Sequence, residues 1–350
     1  MTSRSLRSVV PPYLLRAVAD APEDRFPRAA SAARTALASM DRVQVPKHAT
    51  GLRAARTAGT PDTSPQRTIM DAAGTTTLPG AVVRREGDGA TGDPAVDEAY
   101  AGLGATHAFW LEVFGRASID GAGLPLDATV HYGREYDNAY WDGQRMVFGD
   151  GDGEVFRRFT VAVDVIGHEL AHGVTQYTAD LVYQGQSGAL NESMSDVFGA
   201  LVAQYAAGQT AEQASWLIGE GLFTDAVHGV ALRSMRAPGT AYDDPVLGAD
   251  PQPATMADYV ETAEDQGGVH LNSGIPNHAF FLAATTIGGP AWLGAGQVWW
   301  DALTSAEVSA SVDFAGFAAV TVRAAASRFG TGSREHGAVA GAWRSVGVLA

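Results

Sequence analysis

Two histidines four residues apart with a glutamate between them, His168-Glu169-Leu170-Ala171-His172, are the first residues whose types and spacing point to chemistry. On a helix, positions four apart share one face. Both imidazoles can then reach a single cation, while Glu169 stands close enough to act on a water bound to it. A second constellation follows at Asn191-Glu192-Ser193-Met194-Ser195-Asp196. Glu192 can supply a third ligand and leave the fourth tetrahedral position open to water, which separates a catalytic zinc from a structural one. Asp196, one turn further along the same face, is placed to accept the free ring N–H of His168 and so fix its tautomer. Cysteine is absent, so any metal must be held by imidazole and carboxylate. The bland alternatives are a His/Glu/His surface without metal and two solvated helix carboxylates. Gly188, Ala189, Met194, Val197 and Phe198 around Glu192 argue for burial instead.

These residues need elements to position them. Apolar spacing predicts helices over 161–178, 190–207, 273–287, 296–308 and 313–328, with another around Asp97–Phe114. Between Arg67 and Gly153 short apolar runs are cut by Gly, Asp and Pro, as in TVHYGREYDNAYWDG, which predicts short strands and turns. No repeat at a fixed period is present. The expected architecture is α+β: a β-rich lobe over 67–178 that includes the metal helix, and a helical lobe over 179–350. A cleft between lobes would be the natural place for the site.

Composition narrows the function further. Hydrophobic residues make up 46% and charged residues 18% of the 350, as in soluble globular proteins. No apolar run is long enough to predict a membrane-spanning helix. The formal charge of −15 argues against a nucleic-acid partner, which would need a concentrated basic surface. The charge is unevenly spread. Residues 1–50 carry 8 Lys+Arg and 4 Asp+Glu; taken from the totals of 24 and 39, that leaves 16 and 35 for the rest. A basic first segment facing an acidic body suggests an N-terminal prosegment that docks on the remainder. Residues 14–40 have helical spacing, and a polar, Pro-containing stretch from Val45 to Pro65 reads as a linker or processing region. The first twenty residues are broken by Pro11 and Pro12 and do not read as a secretory signal.

The motifs together resemble the thermolysin-like family of neutral metallopeptidases. The match runs in order through Val130-His131-Tyr132, Asp137-Asn138-Ala139-Tyr140-Trp141, Val147-Phe148-Gly149-Asp150-Gly151-Asp152-Gly153, the His168–His172 helix, Leu181-Val182-Tyr183-Gln184, Ser187–Glu192, Leu232-Arg233-Ser234-Met235 and Gly267–Gly274, over roughly residues 65–350. Thermolysin is itself the standing example of a His2Glu catalytic zinc, so the ligand set is recognised here and not predicted afresh. The resemblance implies a two-lobe fold with the zinc helix between the lobes, one catalytic Zn2+ and hydrolysis of internal peptide bonds with Glu169 as general base. It implies Tyr183 and His270 as donors to the developing oxyanion and Asp265 as the carboxylate that orients His270. It places Asn138 and the backbone of Ala139 on the strand edge that holds extended peptide, and Arg233 on a substrate carbonyl. Phe156, Phe159, Val165, Ile218, Leu222 and Leu232 fall where the family lines the pocket for the residue after the cleaved bond, which implies a preference for bulky apolar side chains.

Two departures from the family pattern carry expectations of their own. Asp164 and Glu220 match calcium-binding positions, but Ala203, Ser215, Leu217 and Val230 stand where further acidic groups are expected. A full double-calcium site, which needs about six to eight oxygens per ion, is therefore not expected. Selective calcium removal with zinc retained should leave the thermal midpoint unmoved; a marked fall would overturn this. At the front end, Pro11-Pro12-Tyr13-Leu14-Leu15 resembles the short prosegment of the protealysin-like branch. Residues 1–50 are expected to act as an intramolecular inhibitor, with 51–66 as linker and autocatalytic removal between about 44 and 66. The chain is expected to be a monomer acting on proteins and peptides. Relatives of this family are usually secreted, whereas the sequence itself leaves the compartment open.

Overall fold

The computed structural model describes residues 7–40 and 63–350, which form two compact units. The first contains the described residues up to Gly173 together with 221–227; the second contains 174–220 and 228–350.

The first unit is built on a mixed sheet. Its elements are β1 (Arg7–Ser8), α1 (Pro12–Ala19), α2 (Pro27–Met40), β2 (Arg67–Asp71), β3 (Ala81–Arg85), α3 (Pro94–Phe114), β4 (Leu126–Val130), β5 (Ala139–Trp141), β6 (Met146–Phe148) and α4 (Val163–Gln176), the last of which crosses into the second unit at Val174. The six strands lie in the order β1-β5-β6-β4-β2-β3. The pairs β2/β4 and β4/β6 are parallel, and β1/β5, β5/β6 and β2/β3 are antiparallel. All three residues of β5 and of β6 are buried, which fits their short all-apolar runs. Helix α3 has a well-marked start and end. Asp93 caps it by accepting from the N–H groups of Ala95 and Val96, Pro94 sits where no N–H is needed, and Gly115 ends it in the left-handed region. Its Gly102 lets α4 approach closely: a Cβ there would stand 2.3 Å from Ile166 Cδ1. Helix α4 carries His168, Glu169 and His172, all fully buried.

The sequence predicts a single helical region over 14–40. The structure divides it into α1 and α2 around Ala21-Pro22, where Pro22 cannot continue a helix. Val9, Val10, Leu14, Leu15 and Val18 are buried, so this segment is part of the folded unit. The expected processing stretch lies largely outside the described residues.

The second unit is helical, as expected. Its elements are α5 (Gly185–Ala207), β7 (Leu217–Ile218), β8 (Arg233–Ser234), β9 (Asp243–Asp244), β10 (Gly248–Ala249), α6 (Asp265–Asn272), α7 (Gly274–Ile287), α8 (Ala295–Leu303), α9 (Phe314–Phe329) and α10 (Arg334–Ser345). Helix α5 starts at Gly185, earlier than the predicted 190, because its Ser- and Gly-rich first turn lacks the apolar rhythm by which helices are read. Helix α8 stops at Leu303, short of the predicted 308. Helices α6 and α10 are not anticipated from the sequence: α6 opens with a glycine pair, and Gly337 and Gly341 dilute the helical signal of α10 despite the Ser333 cap. Among the described residues no helix is long and apolar enough to cross a membrane.

Candidate active site

In the first unit α4 presents His168 and His172 one turn apart, their rings edge-to-face at 4.8 Å between centroids. Glu169, on the same turn, accepts a hydrogen bond at Oε2 from the backbone N–H of Trp141 at 3.0 Å. The candidate base is thus tied to β5, the strand that follows Asn138. No sequence pattern signals this contact, because the donor is the Trp141 backbone and not its side chain.

Asn138 and Ala139 are both fully buried. The edge of β5 is already paired. Residues Arg7 and Ser8 align antiparallel with Trp141 and Tyr140, and Val9 N–H donates to the Ala139 carbonyl at 3.3 Å. Asn138 closes on the next residue from both sides: its Oδ1 accepts from Val10 N–H at 3.1 Å and its Nδ2 donates to the Val10 carbonyl at 3.4 Å. Further along, Glu154 accepts from the backbone N–H groups of Arg28 and Ala29 and pairs with the Arg28 guanidinium at 3.0 Å. The Ser39 hydroxyl meets that of Tyr136 at 3.0 Å. The pocket positions Phe156, Phe159, Val165 and Leu222 are all buried, with Phe156 against Phe159 and Phe223, and the Arg157 N–H on the Leu222 carbonyl.

The second unit holds its polar groups with side chains. The Tyr183 hydroxyl donates to Glu192 Oε1 and lies 3.3 Å from His270 Nε2. Asp265 grips His270 twice, accepting from the backbone N–H at 2.8 Å and from Nδ1 at 2.6 Å. That grip requires a tight entry to α6. Asp265, Gln266, Gly267 and Gly268 all have positive φ, and a Cβ on Gly268 would strike Asn272 Nδ2 at 2.9 Å. Burial of His270 acts to depress its pKa, but the carboxylates of Asp265 and Glu192 outweigh it and hold the imidazole up at about 9.

Arg233 and Asp196 form a buried bidentate pair, Nε to Oδ2 and Nη2 to Oδ1, each 2.8 Å. Asn277 Nδ2 adds a third donor to Asp196 at 2.8 Å. The sequence reading singled out both Asp196 and Arg233 but not their mutual contact, which joins α5 to β8 over a separation no local pattern encodes. Asn277 was missed altogether; an amide inside the apolar run of α7 was its one signal. Ile218 and Leu232 are buried beside each other, with Leu232 N–H on the Ile218 carbonyl at 2.9 Å.

Ligand atoms of His168, His172 and Glu192 lie within 4.8 Å of one another, and all three residues are buried. Two imidazoles packed this closely could not both carry charge at tolerable cost, whereas two neutral imidazoles and a carboxylate are the donor set a zinc ion takes. The residues fit the metal. A mixed sheet with a helix bearing H-E-x-x-H, followed by a helical unit with a buried glutamate on α5, defines a metal-dependent hydrolase.

The comparisons with known proteins agree. Residues 56–176 match the family model described as "Thermolysin metallopeptidase, catalytic domain", and residues 179–348 match "Thermolysin metallopeptidase, alpha-helical domain". The chain is 50% identical over 349 residues to the "Extracellular metalloprotease" of Pectobacterium carotovorum subsp. carotovorum, covering 99% of this chain and 98% of that one. It is 51% identical over 284 residues to "Protease PrtS" of Photorhabdus sp. (strain Az29), 81% and 76% of the two chains. Against "Thermolysin" of Alicyclobacillus acidocaldarius subsp. acidocaldarius it is 40% identical over 283 residues, 78% of this chain and 49% of the other. The solved structure of the precursor of protealysin from Serratia proteamaculans superposes with a TM-score of 0.89 at 52% identity, covering 98% of this chain and all of that one. The chain belongs to the thermolysin metallopeptidase family, and it is a zinc metalloendopeptidase.

Proposed function

We propose that the chain is the self-processing precursor of a neutral endopeptidase that prefers bulky apolar residues after the cleaved bond, and that its first 50 or so residues hold it inactive. The pairing of residues 7–10 with the β5 edge and Asn138 carries this reading. An extended chain bound there through main-chain hydrogen bonds is bound as a substrate would be, so the N-terminal segment and a substrate would compete for one edge.

Zinc held by His168, His172 and Glu192 would polarise the scissile carbonyl and acidify a water at neutral pH. Glu169, steadied by the Trp141 N–H, takes the proton of the attacking water and passes it to the leaving amine. Tyr183 and His270 donate to the oxygen on which charge develops, and Asp265 keeps His270 protonated and oriented for that task. Asp196 orients His168 through its ring N–H and holds Arg233, which in turn takes a substrate carbonyl. Phe156, Val165, Ile218, Leu222 and Leu232 are the residues proposed for the apolar pocket; the burial of each supports a preference for residues such as Leu or Phe. The lower bound of the second lobe at 179 and of the catalytic body at 67 remain the proposed domain limits, with 51–66 as linker.

The test is intact-mass analysis of wild type beside Glu169→Ala, purified apart from other proteases, with zinc content measured on both. Wild type should lose the first 44 to 66 residues, and Glu169→Ala should keep its full mass and its zinc. A Glu169→Ala chain that is still trimmed would refute self-processing.

A further inference from the structure

Asp137 and Asp152 are two carboxyl groups that the mechanism does not use, and the first unit buries both, with exposures of 0% and 1%. Their surroundings differ. Asp152 is fully served by backbone donors: Oδ1 accepts from Glu154 N–H at 2.5 Å and Val155 N–H at 2.6 Å, and Oδ2 from Phe156 N–H at 3.3 Å. Neither oxygen of Asp137 meets a donor in hydrogen-bond geometry. Asp152 reaches Asp137 with two groups: its carboxyl, which opposes ionisation of Asp137, and its backbone N–H, which favours ionisation less strongly. The backbone forces the two together: Gly149 N–H bonds to the Asn138 carbonyl at 3.0 Å and Gly151 N–H to the Tyr136 carbonyl at 3.2 Å, so 136–138 and 149–152 run side by side.

Two buried carboxylates in contact cannot both be charged, and the one with the poorer set of donors is the one that keeps a proton. A protonated carboxyl is a hydrogen-bond donor, the only kind of group that satisfies both partners here. We propose that Asp137 is a positioning residue of the peptide-holding edge: a neutral carboxyl that donates to Asp152 and so ties the Asn138–Ala139 edge to the turn that presents Glu154 and Phe156. This rests on the proposed role of Asn138 and Ala139 in holding peptide.

The other charges facing the pair fit. Glu135 and Asp152 both oppose ionisation of Asp137, and burial does so most strongly, holding its pKa well above the usual carboxylate range. A cation near the cluster is Arg28, which faces Glu154, Glu135 and Asp152. Arg28 belongs to the N-terminal segment, so its removal with that segment leaves the pair still less able to lose its proton.

The consequence for stability has a definite sign. A carboxyl whose folded pKa is raised contributes stability in full below the unfolded value, near 4, and loses it as pH rises toward the folded pKa. Asp137→Asn supplies the same donor with no proton to lose. Four enzymes are compared as isolated: wild type, Asp137→Asn, Asp137→Leu and Asn138→Ala. KM and kcat are measured on a quenched peptide, and thermal midpoints from pH 5 to 9. Asp137→Asn should keep KM within about twofold of wild type, and its thermal midpoint should gain on wild type steadily as pH rises. Asp137→Leu should raise KM roughly tenfold with kcat changed less than about threefold, the signature of lost binding and not of lost chemistry. A midpoint difference between Asp137→Asn and wild type that is constant with pH would overturn the proton assignment, whatever happens to Asp137→Leu. A normal KM in a folded Asp137→Leu, with Asn138→Ala raised, would overturn the positioning role. If Asn138→Ala itself leaves KM unchanged, the edge reading fails first, and the pH-dependent midpoint still decides whether the pair holds its proton.

Discussion

The first unit holds an extended chain with its backbone, and the second unit holds its polar groups with buried charge. On the β5 edge the partners of residues 7–10 are a carbonyl, the strand's own pairing and one amide side chain, none of which reads the identity of the bound residues. In the second unit Asp196 takes three side-chain donors, and Asp265 takes one bond from the His270 ring and one from its backbone N–H, so all but the last depend on the identity of the partner residue. The edge can therefore exchange one occupant for another at modest cost, as an enzyme that swaps a prosegment for successive substrates needs. The charged pairs are matched side chain to side chain within the unit. They form a fixed frame, and disturbing it should cost more than disturbing the edge.

The largest test of that contrast is Arg233→Met. Breaking a buried, hydrogen-bonded ion pair by removing one partner costs about 3–5 kcal/mol, because the other charge is left without its match. The thermal midpoint should fall by far more than for any edge variant, and Arg233→Lys, which keeps the charge but not the planar fork, should fall between. An Arg233→Met protein as stable as wild type would show that the second unit is no more rigidly committed than the first. Asn138→Ala is the matching lesion at the edge. It removes the two bonds to Val10, about 2 kcal/mol in sum and roughly 30-fold in the hold on the N-terminal segment. Maturation followed by intact mass should speed up, while the thermal midpoint of the processed enzyme should move much less than for Arg233→Met. Maturation at the wild-type rate would mean that the strand pairing, and not the Asn138 clamp, carries the grip.

How much of this was legible in the sequence follows the same division. The zinc ligands were readable because a helix puts His168 and His172 on one face by local geometry, and Glu192 sits in a second, recognisable helix. The overall α+β layout followed from the change of texture near Phe159. What the sequence hid are contacts made by backbone atoms, such as the Trp141 N–H on Glu169, and contacts that fold topology brings together, such as Arg233 with Asp196 or Asp137 with Asp152. Pairing of residues 7–8 with β5 was also hidden: a two-residue strand has no periodicity to detect, and its register is set by the edge it joins. Charge asymmetry suggested that the first 50 residues dock on the body, but only the fold shows Arg28 on Glu154 and Val10 on Asn138.

The smallest expected effect concerns His131, which holds the first unit together by a charge-dependent bond. Its Nδ1 meets both oxygens of Asp150 at 2.9 Å, and its Nε2 meets Asp93, the cap of α3, at 3.0 Å. Burial acts to lower the pKa of this imidazole, but the two carboxylates outweigh it and the net shift is upward. Asp93 is shifted the other way: burial raises it, and the His131 bond and the Ala95 and Val96 amides bring it below its ordinary value. The histidine's contribution is therefore complete below its unfolded pKa near 6.5 and fades as pH climbs through the higher folded value. Asp93's contribution is complete above about 4 and fades below it. The link is strongest between these limits. His131→Gln should lower the thermal midpoint by about 2–4 °C at pH 5.5, the shift that roughly 1 kcal/mol produces in a unit of this size, and by progressively less toward pH 9. A loss that is flat across that range would show that His131 acts by shape alone, and that charge fixes side chains only in the second unit.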